Sequence, residues 1–188
     1  MKPVKPRADF TEHSISSKTV FEGRLLRVMQ DDVKLPDGHT ATREYVKHPG
    51  AVMIIPMLDE RTIVLEYQFR FPLRRHFFEL PAGKMEPDEE ALATAKRELL
   101  EETGYAAQQW RHIATTHPCI GYSDEKIELY LAQELTFIGH QRDQGEFLEV
   151  VILEFDEALA WIDRGLISDG KTIMGLLWAE RLLRTPGR

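Results

Sequence analysis

Three glutamates lie close together in the segment GKMEPDEEALATAKRELLEETGY, residues 83–105. At about 100° per residue of an α-helix, Glu98, Glu101 and Glu102 fall within an arc of roughly 100°. Each close pair of like charges costs a few tenths of a kcal/mol on an exposed helix, and more when partly buried. Arg97 offsets part of this repulsion through an i,i+4 pair with Glu101. The remaining negative charge predicts a bound cation such as Mg²⁺, which takes carboxylate oxygens alongside substrate phosphates.

The residues around this cluster indicate how a helix presents it. Pro87 and Asp88 favour a helix start, and Gly104 favours a helix end. For a bare cluster of acids, the alternative interpretation is a solvated helix face. The context favours a functional site, because the loop residue Gly83 precedes the helix and the acids end it directly before Gly104. Three apolar residues on the adjoining side are predicted to face the core: Leu92, Ala95 and Leu99.

The composition is typical of one soluble globular domain. The chain has 188 residues, and its 24 Lys and Arg against 31 Asp and Glu give a net charge of −7, which disfavours nucleic-acid binding. Cys119 is the only cysteine, so an intrachain disulfide and a cysteine metal cluster are excluded. There is no apolar run of a secretory signal, and no apolar segment reaches the roughly 20 residues of a membrane span. We therefore expect a cytoplasmic enzyme that binds neither nucleic acid nor membranes.

Strands and helices are interspersed along the chain, which indicates an α/β or α+β fold. The turn residues Pro36-Asp37-Gly38 predict a β-hairpin over 20–46, after a loose arm at 1–16. The apolar run AVMIIPML at 51–58 is typical of a buried strand. Further strands are predicted at 62–70, 76–83, 111–117, 126–133 and 147–155, and helices at 87–104, 155–165 and 171–184.

The segment 83–105 resembles the signature box of the Nudix hydrolase family. That box runs glycine, five residues, glutamate, seven residues, and then Arg-Glu-apolar-x-Glu-Glu-x-Gly-apolar. Gly83, Glu89 and the run from Arg97 to Tyr105 fill all of its fixed positions. The resemblance implies a Nudix α/β/α sandwich, here with an N-terminal β-hairpin extension. It also implies that Glu89 and Arg97 brace the loop before the helix rather than contact substrate.

The same resemblance implies the residues of a magnesium site. Glu98 and Glu102 would bind Mg²⁺ directly, together with the loop carbonyl of Ala82, and Mn²⁺ would substitute for it. Glu101 would be a further ligand or a support through water. The family chemistry thus accounts for the crowded glutamates, because the metal ions supply the missing positive charge.

Three further segments resemble the ADP-ribose and nucleoside-diphosphate-sugar pyrophosphatase branch of the family. They are EYVKHPGAV at 44–52, QFRFPLRRHFFELPAGK at 68–84 and GEFLEVVIL at 145–153. The implied reaction is Mg-dependent hydrolysis of the diphosphate linkage of ADP-ribose or a related sugar nucleotide, giving AMP or another nucleoside monophosphate and a sugar phosphate. Because the branch pairs subunits through its N-terminal extension, residues 1–48 are expected to form a homodimer and residues 49–188 the hydrolase domain.

The match to this branch implies five residues that contact the substrate. Arg70 would donate to the diphosphate, because a guanidinium fork binds phosphate oxygens bidentately. Glu79 would contact the terminal ribose or the base, and Glu125 the metal or the substrate. Arg43 and Glu44 lie on the segment that recognises the nucleotide. The alternative for Arg70 is a surface ion pair, and for Glu79 a solvated carboxylate at a strand end.

The branch places its general base on a mobile loop after the box, which corresponds here to Gln144-Gly145-Glu146-Phe147. Glu146 would accept a proton from the attacking water. Gly145 would give the loop the freedom to close. Glu149 is the alternative base or an added metal ligand, and an ordinary charged turn residue is the alternative interpretation of Glu146.

Two other functions stay open. In the segment HPCIGYSDE at 117–125, Pro118 follows Tyr105 more closely than in the branch pattern. The enzyme could therefore act on another nucleotide, such as a GDP-sugar, NADH or a dinucleoside polyphosphate. The second alternative is a nucleotide-sensing Nudix module without turnover. Such modules usually lose box glutamates that this chain retains, so the sequence favours an enzyme.

Overall fold

The computed structural model describes residues 8–139, 145 and 147–183. These residues form ten strands and three α-helices, with one 3₁₀ turn at Phe71–Leu73 and one π-helical turn at Leu99–Thr103. The strands are β1 (His13–Glu22), β2 (Arg27–Lys34), β3 (Thr40–Lys47), β4 (Ala51–Pro56), β5 (Thr62–Arg70), β6 (Arg75–Glu79), β7 (Ala82–Lys84), β8 (Tyr105–Thr116), β9 (Ile127–Phe137) and β10 (Leu148–Glu154), and the helices are α1 (Ala91–Glu98), α2 (Phe155–Asp163) and α3 (Gly170–Leu183).

The backbone contacts divide the chain into two compact units. The first consists of the described residues up to His48 together with Cys119–Glu125, and the second of Pro49–Pro118 and the described residues from Lys126 onwards. The first unit carries the antiparallel sheet β1-β2-β3. The predicted hairpin corresponds to β2 and β3, with Gly38 at φ 89° in the turn between them. Residues 119–125 thus belong to the same unit as the hairpin, whereas the strands before and after them in sequence, β8 and β9, belong to the second unit.

The sequence prediction of a loose arm up to residue 16 is wrong from His13 onwards. Strand β1 begins there and pairs with β2 in antiparallel register, from His13 opposite Lys34 to Glu22 opposite Arg27. All ten of its side chains are exposed. Because a strand with two exposed faces has no alternation of apolar and polar residues, the sequence carried no signal for it.

The second unit contains two sheets, ordered β7-β4-β9-β8 and β10-β5-β6. Strand β4 is parallel to β9, and the other pairs are antiparallel. All six residues of β4 are buried because helices cover both of its faces. Met53 packs in one core cluster with Leu176 of α3, whereas its neighbour Ile54 packs in another with Leu99 after α1. The predicted α/β/α sandwich is confirmed.

The box helix starts later than the sequence predicted. Helix α1 begins at Ala91, because Asp88 adopts a left-handed conformation with φ 63° in a turn closed by a hydrogen bond from Glu89 N to Glu86 O of 3.2 Å. After Glu98 the helix widens into one π-helical turn, a feature frequent at functional sites. The predicted end at Gly104 is confirmed, since its φ is 77° and its N–H donates to the Leu100 carbonyl at 2.9 Å.

A further difference from the prediction concerns the length of two strands. Strands β8 and β9 pair from Tyr105 opposite Phe137 to Thr116 opposite Ile127, so both are longer than predicted. The extra residues of β8 are mostly half-buried and those of β9 mostly exposed, and neither stretch has a continuous apolar run. In the part of the chain that the structure describes, no helix is both long enough and apolar enough to cross a membrane.

Helix α3 packs against the sheet through Gly175, which gives a test of the core. A Cβ at this position would lie 2.6 Å from Leu80 Cδ1 and 2.8 Å from Met53 Cε. We expect Gly175→Ala to lower the free energy of unfolding by about 1–2 kcal/mol, because the ends of the buried Leu80 and Met53 side chains must shift, at a cost greater than the roughly 1 kcal/mol that alanine gains in a helix. Urea denaturation of the variant and the wild-type protein measures the difference.

Gly170→Ala is the matched control in the same helix, since a Cβ there would have no atom within 4 Å. Alanine is the better helix former by about 1 kcal/mol, so this control is expected to be neutral or stabilising. If Gly175→Ala were as stable as the control, the close approach of α3 to the sheet would be contradicted.

Candidate active site

Strand β5 presents an acid, an amide and a cation on one face of its sheet. Glu66, Gln68 and Arg70 alternate along the strand and so point to the same side. The antiparallel register pairs Glu66 with Glu79 of β6, and paired residues share a face. Four polar residues from two strands are thereby assembled on one surface of the second unit.

Arg70 and Glu79, which the sequence predicted as two substrate contacts, form a bidentate ion pair. Arg70 Nε donates to Glu79 Oε1 at 2.6 Å, and Nη2 donates to Oε2 at 2.8 Å. The Glu79 side chain is 2% exposed and also accepts from Lys171 Nζ, whereas the Arg70 side chain is 43% exposed. Burial raises the pKa of Glu79, but its ion pairs outweigh burial and hold the pKa below its ordinary value. Glu79 is therefore an ionised, buried partner of two cations.

Glu102, in the π-helical turn, contacts Glu66 of β5. Both carboxylates are buried, and the Ala82 N–H donates to Glu102 Oε2 at 3.1 Å. Among the described residues, no donor reaches Oε1 of Glu66. Burial raises the pKa of both carboxyls, and the charge of Glu66 raises that of Glu102 further. Burial and mutual repulsion therefore both favour the protonated form of this pair.

Arg97 connects three glutamates of the box. Its Nε and Nη2 form a fork on Glu89, each at 3.0 Å. Its Nη1 donates to Glu98 Oε1 at 2.8 Å and to Glu101 Oε2 at 2.9 Å, so the predicted i,i+4 pair is confirmed. The hydrogen bonds from Arg97 lower the pKa of Glu89 to about 2. One guanidinium thus joins the loop before the helix to the acidic face of the helix.

Gly83 allows the backbone of the preceding loop to approach Glu98 closely. An ideal Cβ on Gly83 would lie 1.9 Å from the Glu98 carboxyl carbon. Any side chain at this position would displace the carboxylate or the loop. The first glycine of the box therefore allows β7 to lie close to the acidic helix, because it has no side chain.

The acids of this site fit a divalent cation by their chemistry. Carboxylate and carbonyl oxygens are the donors that Mg²⁺ and Mn²⁺ prefer, and Oε1 of buried Glu66 has no hydrogen-bond partner among the described residues. No group of three or more described His, Cys, Asp or Glu side chains is arranged as a metal site. Glu98 points instead to Arg97, and Glu102 to Glu66.

The remaining predicted nucleotide contacts lie in the first unit. Arg43 Nε donates to Glu12 Oε2 at 2.9 Å. Arg43 and Glu44 line a surface depression of about 260 Å³ together with residues 120–124. Glu125 belongs to the same unit. The structure thus brings Arg43 and Glu44 together with the segment that departs from the branch pattern in sequence.

The predicted general base, Glu146, lies outside the described residues. Its neighbour Gly145 has φ 100°, a left-handed conformation that glycine adopts without strain. The alternative base, Glu149, pairs with Tyr67 across β10 and β5. Because adjacent residues of a strand point to opposite faces, Glu149 lies on the face of this sheet opposite to Glu66.

Sequence reasoning did not identify Glu66 or Lys171. An acid in the middle of the β-forming stretch TIVLEYQFR was the signal that could have indicated Glu66. For Lys171 the sequence had no such signal, because a lysine in the first turn of a helix is ordinary. Only the contact with buried Glu79 distinguishes it.

Comparison with known proteins supports this interpretation. Residues 47–173 match the NUDIX domain, and residues 12–46 match the nucleoside diphosphate sugar hydrolase N-terminal domain. The chain is 39% identical over 173 residues to a methanol dehydrogenase activator of Bacillus methanolicus, covering 91% of this chain and 94% of that protein. It is 38% identical over 171 residues to an ADP-ribose pyrophosphatase of Bacillus subtilis, covering 90% and 92%.

The fold has a counterpart among solved structures. A crystal structure of an ADP compounds hydrolase superposes with a TM-score of 0.85 at 20% identity, covering 95% of this chain and 97% of that one. At that identity the likeness supports the fold alone. Together with the two domain matches and the box built by Gly83, Glu89, Arg97 and the glutamates, it leads to one conclusion: this chain belongs to the Nudix hydrolase family, with an N-terminal domain of the nucleoside diphosphate sugar hydrolases before its NUDIX domain.

Proposed function

We propose that this protein is a Mg²⁺-dependent pyrophosphatase that hydrolyses the diphosphate linkage of ADP-ribose or a related nucleoside diphosphate sugar. The products are AMP, or another nucleoside monophosphate, and a sugar phosphate. One observation carries the proposal: the half-buried guanidinium of Arg70, which is paired with Glu79, also interacts electrostatically with Glu102 of the acidic cluster. A cation site next to an arginine suits a diphosphate, and a relative with 38% identity is named ADP-ribose pyrophosphatase.

Nudix hydrolases generally use divalent metal ions, and we propose Mg²⁺ for this chain, with Mn²⁺ as a substitute. Glu98, Glu102 and the carbonyl of Ala82 would hold the ion, and Glu101 would bind it directly or through water. Hard oxygen donors favour these two ions. When bound, the metal neutralises charge on the diphosphate and lowers the pKa of a bound water.

The chain itself supplies binding and proton transfer. Arg70 donates to the diphosphate oxygens with the N–H groups that Glu79 does not occupy. Glu146 accepts the proton of the attacking water as its oxygen forms a bond to phosphorus and the bridging P–O bond breaks. Arg43 and Glu44 recognise the nucleotide, and Glu125 contacts the metal or the substrate. Glu79, which holds Arg70 and Lys171, would also contact the terminal ribose or the base.

A substrate panel tests this function. Purified protein is incubated with ADP-ribose, a GDP-sugar, NADH and a dinucleoside polyphosphate, in Mg²⁺ or in EDTA, and the products are separated by ion-exchange chromatography. We expect AMP and ribose 5-phosphate from ADP-ribose in Mg²⁺, and no release in EDTA. Faster hydrolysis of another nucleotide would show that the protein is a Nudix hydrolase with a different substrate. No turnover on the whole panel would favour the nucleotide-sensing alternative.

We further propose that residues 1–48 pair two subunits into a homodimer. Strand β1 exposes all of its side chains, among them the large apolar residues Ile15, Val20 and Phe21. Such a strand is stable and soluble when a second copy covers one of its faces. Residues 12–46 also match an N-terminal domain that is distinct from the NUDIX domain at 47–173.

Light scattering coupled to gel filtration measures the assembly. We expect the mass of two chains at micromolar concentration, and a shift to one chain in the double variant Val20→Asp, Phe21→Asp, because two buried charges oppose association. Ile120→Asp is the control, since Ile120 is exposed in the same unit but outside β1. A wild-type protein with the mass of one chain would contradict the homodimer.

A further inference from the structure

The Arg70 side chain is held by a carboxylate that is itself held by a second cation. Glu79 takes Nε and Nη2 of Arg70 in a fork, with distances of 2.6 and 2.8 Å. Lys171 Nζ donates to the same carboxylate from the first turn of α3. Among the described residues, Arg70 has no hydrogen-bond partner other than Glu79. Three of its five N–H groups therefore have no hydrogen-bond partner among the described residues.

Lys171 is in turn fixed within the first turn of α3. Its Nζ lies 2.8 Å from Asp169 Oδ2, which also accepts from Thr172 N at 3.0 Å and from Thr172 Oγ1 at 2.7 Å. Thr172 Oγ1 accepts from the Leu80 N–H at 2.9 Å, directly after β6. The start of α3 is thereby joined to the end of the strand that carries Glu79. These hydrogen bonds leave Lys171 little freedom to point elsewhere.

The charges explain why two cations are needed. Glu79 is 2% exposed, and an ionised carboxylate at such a site is costly unless it is paired and hydrogen-bonded. Its ion pairs with Arg70 and Lys171 keep it ionised, as its lowered pKa indicates. Without Lys171, Arg70 would be the sole cation on Glu79, and the carboxyl would tend towards its neutral form. A neutral Glu79 holds a guanidinium fork weakly.

We propose that Lys171 and Glu79 are positioning residues that fix the Arg70 guanidinium in the orientation that binds the substrate diphosphate. This inference rests on the proposed function, in which Arg70 contacts the diphosphate. A guanidinium that is already ordered loses less conformational entropy on binding than a free side chain. The contribution of Lys171 is made through Arg70, so Lys171 itself does not touch the substrate.

A double-mutant cycle with Arg70→Met and Lys171→Met tests the inference. We expect Lys171→Met to raise KM for ADP-ribose about tenfold with kcat changed less than about threefold, because the lost interaction is ground-state binding of the diphosphate. In the Arg70→Met background the same substitution should leave KM unchanged, since Lys171 acts only through Arg70. Lys171→Arg should restore most of the affinity. Lys126→Met is the control, because Lys126 pairs with Glu128 at 3.6 Å, away from this network.

A second measurement needs no substrate. The ¹⁵Nε–Hε resonance of Arg70, assigned by its loss in Arg70→Met, should be protected from solvent exchange in the wild-type protein and lost by exchange in Lys171→Met. Glu79→Gln, which keeps the shape of the side chain, is the second variant in case Lys171→Met folds poorly. It should likewise lose the Arg70 resonance and raise KM. A purely structural role would lower the melting temperature of Lys171→Met but leave KM and the Arg70 resonance as in the wild type.

The outcomes separate the two proposals. Additive effects of Arg70→Met and Lys171→Met on KM, or an unchanged Arg70 resonance in Lys171→Met, would overturn the positioning role while the pyrophosphatase stands. No turnover by the wild-type protein would overturn the proposed function. Loss of the Arg70 resonance in Lys171→Met would then still establish that Lys171 orders the guanidinium.

Discussion

Glu102→Gln is expected to lower kcat for ADP-ribose hydrolysis by about 10³-fold or more while the protein stays folded. Loss of a metal ligand removes several kcal/mol of charge stabilisation in the transition state, and each 1.36 kcal/mol is about tenfold in rate. The fold should survive because glutamine has the shape of glutamate and can keep the hydrogen bond from the Ala82 N–H, which is 3.1 Å long. The substitution also removes the charge repulsion between Glu102 and Glu66, because glutamine is neutral.

Three measurements separate loss of the ligand from loss of the fold. Steady-state kinetics gives kcat, calorimetric titration with Mn²⁺ gives metal affinity, and thermal unfolding gives stability. Metal affinity should fall together with kcat, whereas the melting temperature should not. Glu90→Gln is the matched control, because Glu90 is exposed immediately before α1 and its side chain makes no capping hydrogen bond. Turnover and Mn²⁺ binding of Glu102→Gln at the wild-type level would refute the ligand assignment.

Glu146→Gln is expected to lower kcat by about 10²- to 10⁴-fold with little change in KM. Removing a general base affects the proton transfer of the chemical step more than the binding of substrate. Glu149→Gln should have a much smaller effect, because β10 pairs Glu149 with Tyr67 and so directs it to the sheet face opposite to Glu66. The pair of variants therefore compares two glutamates that are three residues apart in sequence but differ in placement.

The pH profile of kcat adds an independent readout of the base. In the wild-type protein the acidic limb reports the ionisation of the base, and this limb should be lost or displaced in Glu146→Gln and retained in Glu149→Gln. Wild-type kcat in Glu146→Gln together with a large loss in Glu149→Gln would transfer the role to Glu149.

The candidate site divides between features that are local in sequence and features that are not. The box could be found from the chain alone because Gly83, Glu89 and Arg97 act within one loop and one helix, where contacts follow from spacing. The pair of Arg97 with Glu101 is one helical turn apart and was predicted from that spacing. The helix start was misplaced at Pro87-Asp88, because the left-handed backbone of Asp88 depends on the turn around it.

By itself the sequence determined the family and the buried strand that begins at Ala51, because an apolar run or a fixed motif needs no partner to be recognised. The single strand predicted at 76–83 is instead two strands, β6 and β7, which belong to different sheets. Only the tertiary structure decided which polar groups meet. Glu66 reaches Glu102, and Glu79 joins Arg70 to Lys171, through strand register and helix packing. These contacts link residues far apart in the chain, and their free energy comes from burial and pairing of charge, which no local pattern records.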